Sequence, residues 1–151
     1  MVILSEEARV NVADAARFVD AQVGPLLSVA GFAEAAMGVN EGRTQILYCA
    51  DLRAVRRQVP GLPDGHEADA PVGACFDVMI ELHADRLADV HMDGGSLETA
   101  LDIVKMADLA GRLRDVLGRP VQDAAPVVAE AVRALFVNLP QRLSSEQEFP
   151  A

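Results

Sequence analysis

From Cys75 to Asp93 apolar and polar side chains take turns almost residue by residue. Even positions carry Phe76, Val78, Ile80, Leu82, Ala84, Arg86, Ala88, Val90 and Met92; odd positions carry Asp77, Met79, Glu81, His83, Asp85, Leu87, Asp89, His91 and Asp93. On a helix, positions two apart are rotated by about 200°, which would scatter the apolar groups around the circumference, so the period predicts strands with one buried face. Arg86, Met79 and Leu87 are the exceptions. For the even set to stay on one face after the chain reverses, the turn must centre on Asp85, giving a hairpin over 75–93 with a loop of Ala84, Asp85 and Arg86. Ile80 then opposes Val90, and Val78 opposes Met92.

Elsewhere the period is helical. Ser5, Glu6 and Glu7 form a helix start, followed by Ala8, Val12, Ala15, Ala16 and Val19 at helical spacing. Gly24 and Pro25 predict a break or a sharp kink, and a second helix over 25–37, with Gly38 as its stop. Its clearly polar side chains are Ser28 and Glu34, so it is expected either as a central core helix or as the surface of a homodimer. Thr44 to Ala50 reads as a strand, with Asp51 capping a short helix, LRAVRRQV. A single longer helix also accommodates Tyr48, Leu52, Val55 and Val59. Pro60 to Ala74 is a loop. Asp93, Gly94 and Gly95 end the hairpin, and Ser96 caps a long helix to about Leu117, stopped by Gly118 and Pro120. The polar stripe of that helix, Glu98, Asp102, Lys105, Arg112, Asp115 and Arg119, steps by threes and fours apart from one longer gap. Asp123 and Pro126 open a last helix that buries Val128, Val132, Leu135 and Leu139, and the polar tail over 141–151 is expected to fray.

The expected architecture is α+β: one domain over 1–140, with a small antiparallel sheet formed by the hairpin 75–93 and a strand at 44–50. Four to five helices cover one face of it. A chain of 151 residues with 51% hydrophobic content buries a proper core, and 4% aromatic content means that Ala, Val, Leu and Ile build it.

Charge narrows the partners. A net charge of -10 repels phosphate backbones and anionic headgroups over about a Debye length, roughly 8 Å at physiological salt, so nucleic acid and membrane surfaces are disfavoured. Basic proteins and metal cations are favoured by the same field. The first residues carry no basic leader, and no run approaches the roughly 18 apolar residues of a spanning helix, so a cytoplasmic location is expected. Cys49 and Cys75 would then be reduced, and their apolar flanks suggest buried structural thiols.

Candidate chemistry gathers on the odd-numbered face of the hairpin. Asp77 is expected opposite Asp93, Glu81 opposite Asp89 and Met79 opposite His91; opposed like charges destabilise a pair by about 0.2–1 kcal/mol unless something compensates. Solvent can do so, as can a basic partner docked on Asp77, Glu81, Asp89 and Asp93. A divalent metal held by Glu81, His83, Asp89 and His91 is the third solution, although no short His spacing supports it. Arg53, Arg56 and Arg57, with Arg43 nearby, form a basic patch able to hold an anion. A ligand pocket lined by Phe32, Met37, Met79 and Met92 is a further option. No nucleophile motif and no phosphate loop occurs, and no cofactor is implied. The leading expectation is a non-enzymatic protein-binding module of adaptor, chaperone-like or immunity type that uses the acidic hairpin face. The alternative is a divalent-metal-binding protein or metal-dependent enzyme built on the same hairpin.

Overall fold

Ile80 faces Val90, Val78 faces Met92 and Met79 faces His91 in the computed structural model, so the alternation in the hairpin reads out as predicted. The structure describes residues 6–58, 74–92 and 95–139. Among these described residues five strands, β1 (Ala36–Asn40), β2 (Arg43–Asp51), β3 (Cys75–His83), β4 (Arg86–Met92) and β5 (Gly95–Ser96), form one antiparallel sheet in chain order. The helices are α1 (Glu6–Val29), α2 (Leu52–Gln58), α3 (Leu97–Ile103), α4 (Ala107–Asp115) and α5 (Val121–Val132), the last continued by a π-helical stretch, Arg133–Asn138. The fold is α+β, with two strands more than the three expected. Strand β2 followed by helix α2 settles the choice between a strand with a short helix and one long helix over 44–58; Val59 lies outside the described residues. Asp93 and the tail over 141–151 lie outside the described residues.

The hairpin differs from expectation at its tip. Between the pairs Glu81–Asp89 and Leu82–Leu87, β4 carries Ala88 as an extra residue, a β-bulge. That insertion switches the phase of β4, so Leu87 is 1% exposed while Arg86 points out. The loop is therefore two residues, Ala84 and Asp85, rather than three. Two of the exceptions to strict alternation are the signature of the bulge.

Helix α1 is continuous across Gly24 and Pro25 to Val29, so a break at Gly24 does not occur and no separate helix spans 25–37. Its buried stripe, Ala15, Ala16, Val19, Val23 and Leu27, continues across the proline, and this packing outweighs the roughly 3 kcal/mol cost of an interior proline. Gly31 at φ 98° is the true stop. Phe32 N donates to Leu27 O at 2.9 Å and Gly31 N to Ser28 O at 3.1 Å, which is a Schellman cap with Leu27 and Phe32 both buried. Gly38 instead lies in β1, so the homodimer expected through helix 25–37 loses its helix.

The expected long helix from Ser96 also divides. Ser96 does cap α3, its Oγ accepting from Thr99 N at 3.1 Å. Lys105 then takes a left-handed φ of 65°, with Met106 N donating to Leu101 O and Lys105 N to Asp102 O, and α4 begins two residues later. The longer gap in the polar stripe, from Lys105 to Arg112, marks this break. Pro120 rather than Asp123 occupies the N-cap of α5, and Pro126 sits inside it.

The even-numbered face of the sheet packs on the helices. Phe32, Phe76 and Phe136 meet edge to face with centroids 5.3–6.3 Å apart, joining the end of α1, the sheet and the π-helical stretch. The two sheet edges differ. Along β4, Leu87 N donates to Arg119 O and accepts at its carbonyl from Gly118 N, with β5 pairing farther along, whereas β1 is exposed throughout.

Candidate functional site

The opposite face of the sheet is where the sequence placed its candidate chemistry. Burial alternates along β2 and β3, and the residues between the core positions mostly stay partly or fully in solvent. One row crosses all five strands in register: Ala36, Leu47, Met79, His91 and Ser96. Leu47 is 37% exposed despite being a large aliphatic residue on an inner strand. Flanking it on one side are Gly38, Gln45, Glu81 and Asp89, and on the other the pair Cys49–Asp77 and then Asp51–Cys75. The face thus has an apolar centre, Leu47 and Met79, between carboxylates at Asp51, Asp77, Glu81 and Asp89.

Glu81 and Asp89 oppose each other as expected, and the structure shows what makes this tolerable. His91 Nε2 lies 2.5 Å from Glu81 Oε1 and 3.6 Å from Asp89 Oδ2, and Arg43 Nη1 lies 3.6 Å from Glu81 Oε2. Asp89 Oδ1 also accepts from Val90 N at 2.8 Å. Glu81, only 8% exposed, is held between a histidine and an arginine and belongs to the architecture of the face as much as to its surface. Asp77 and Asp89 are the accessible carboxylates on the open face of the hairpin that remain for a partner; Asp93 lies outside the described residues.

The same geometry bears on metal binding. Glu81, Asp89 and His91 do come together, but His91 Nε2 is already directed at Glu81, and the exposed His83 pairs in register with Arg86 at the end of the hairpin. Among the described residues no group of three or more His, Cys, Asp or Glu side chains is arranged to hold a metal ion.

The cysteines depart from expectation. Neither is a buried core thiol: Cys49 is half-buried, Cys75 is exposed, and both occupy the open face. Because Cys49 opposes Asp77 and Cys75 opposes Asp51, the two sulfurs are diagonal neighbours across β2 and β3. Burial pushes the Cys49 thiol up to about 12, helped by hydrogen bonds with the Cys75 thiol and the Asp77 carboxylate. Their sequence separation hid this pair, since the register between β2 and β3 is fixed across a long connection.

Arg53 and Arg57 project from α2 while Leu52 and Val55 turn inward; the side chain of Arg56 lies outside the described residues. Arg43 stands at the other end of β2, roughly 26 Å away at 3.3 Å per residue, and works with Glu81 instead.

The expected pocket of Phe32, Met37, Met79 and Met92 does not form: Phe32 and Met92 are core, Met37 is exposed on the edge strand and Met79 is on the open face. A cleft of about 320 Å³ lies elsewhere, between α1 and the segment leading into β1, lined among others by Asp20, Gly24, Pro25, Glu34 and Tyr48. In it Tyr48 Oη donates to Asp20 Oδ1 at 2.6 Å. Burial raises the Tyr48 hydroxyl well above the usual phenol range, and the Asp20 carboxylate adds to this. No described helix is long and apolar enough to cross a membrane. Compared with protein-family models, curated proteins and solved structures, the chain gives no match, so its own geometry must carry the functional reading.

Proposed function

We propose that the protein is a non-enzymatic binding module whose open sheet face docks a basic partner protein. The observation that carries this reading is the composition of that face: Leu47 and Met79 at the centre, with Asp51, Asp77 and Asp89 around them. An apolar centre inside a charged rim is the usual anatomy of a protein interface. The net charge of -10 supports a basic partner, because complementary charge accelerates encounter and sets orientation. Leu47 supplies the desolvated contact and the carboxylates supply steering, while the Glu81–His91–Arg43 group keeps the central strands in register.

The test follows from this division of labour. Association with the partner should slow steeply as salt rises, and Asp77→Lys with Asp89→Lys should slow it at fixed salt while leaving the melting temperature nearly unchanged. Salt-independent association, or full binding by the doubly reversed variant, sinks the reading. Glu81 is unsuitable for such a reversal, because its burial against Arg43 and His91 would confound binding with folding.

A further inference from the structure

We propose that Cys49 and Cys75 form a redox-active dithiol that closes to a reversible cross-strand disulfide when it meets a small-molecule disulfide of the glutathione class. Three features on the open face carry this. The β2–β3 register puts the two residues on the same face as diagonal neighbours with their thiols in hydrogen-bond contact, Cys75 is exposed to an incoming oxidant, and Asp77 stands directly opposite Cys49.

The roles divide by exposure. The Cys75 thiolate attacks one sulfur of the small disulfide, breaking its S–S bond, forming a mixed disulfide at Cys75 and releasing one small thiolate. Cys49, which burial keeps protonated at neutral pH, attacks Cys75 Sγ as its proton is relayed through the Asp77 carboxylate to the departing small thiolate. The Cys49–Cys75 bond forms, the mixed disulfide breaks and the second small thiol leaves. The protein dithiol loses two electrons and two protons overall, and the small disulfide is reduced to two thiols. A diagonal pair spans about 7–8 Å, just beyond the usual Cα separation of a disulfide, so closing the bond draws β2 and β3 together locally and reduction releases them.

The experiment uses the isolated protein, so its outcome is separate from that of the docking proposal. Wild type, Cys49→Ser and Cys75→Ser are equilibrated with oxidised and reduced glutathione at graded ratios, quenched by alkylation and read by intact and peptide mass spectrometry. Wild type is expected to lose two hydrogens, link the peptides containing Cys49 and Cys75, retain no glutathione, and return to the dithiol in excess reduced glutathione. Cys49→Ser is expected to keep a glutathione adduct on Cys75, and Cys75→Ser to stay unmodified. A persistent adduct on wild-type Cys75, a Cys75-linked dimer, or no reaction at all overturns the proposal.

Discussion

Tyr48 Oη donates a 2.6 Å hydrogen bond to Asp20 Oδ1, and a β-carbon built on Gly24 would stand 2.6 Å from that same oxygen. The glycine within α1 therefore makes room for the carboxylate that satisfies a tyrosine only 1% exposed. Helix propensity alone favours alanine at such a position by about 1 kcal/mol. Here Gly24→Ala must displace Asp20 and leave a buried hydroxyl without its acceptor, at a cost of about 1–3 kcal/mol. Urea unfolding should therefore show Gly24→Ala as neutral to destabilising in the wild-type background and stabilising when Tyr48→Phe is already present. Equal stabilisation in both backgrounds would show that the two sites are uncoupled.

Tyr48 also sets an alkaline limit. Its folded-state pKa is raised, so the stability it confers is fully present below the ordinary phenol value of about 10 and is lost as pH climbs beyond it. The chain has one tyrosine and no tryptophan, so tyrosinate absorbance reports this group alone. Ionisation should begin well above that value and coincide with loss of helical circular dichroism. A normal phenol titration in the folded protein would contradict the buried hydrogen bond.

Lys105 occupies the left-handed position of the cap between α3 and α4, where glycine carries no steric penalty. Lys105→Gly should stabilise the fold by up to about 1 kcal/mol, the cost of the left-handed conformation less the extra entropy of an unfolded glycine. Thermal or urea unfolding reads the difference. A loss of stability would mean that the Lys105 side chain contributes more than its backbone costs.

Removing Glu81 should separate structure from surface. Glu81→Ala leaves Arg43 and His91 without their shared carboxylate and should destabilise by about 1–3 kcal/mol, whereas Asp77→Ala and Asp89→Ala should stay within about 0.5 kcal/mol. Equal effects at all three positions would contradict the distinction between an internal acid and two accessible ones.

The hairpin was legible in the sequence because a period of two survives any detail of packing, and even the bulge at Ala88 left its trace in Arg86 and Leu87. The helix boundaries were not, and for one reason in two places. Local signals, Gly24 with Pro25 in α1 and the continuous apolar pattern from Ser96 to Leu117, were overridden by tertiary packing and by a lysine in a glycine's conformation. Strand β1 was hidden because Ala36 to Asn40 lacks a buried face, so neither period was present to read. At the candidate site, Asp77, Glu81 and Asp89 could be placed from their own hairpin. Leu47, the Cys49–Cys75 diagonal and the role of Arg43 required the β2–β3 register, which a long connection conceals.

The most direct measurement of the docking account is site-specific photocrosslinking in cells of origin, with the crosslinker at Leu47 on the open face and, in a separate variant, at the exposed Arg17 of α1. The account predicts that Leu47 captures a protein with a basic surface, that Arg17 does not, and that the Leu47 product is lost when Asp77 and Asp89 are both changed to lysine. Equal capture from Arg17, or a Leu47 product indifferent to those two reversals, would contradict it.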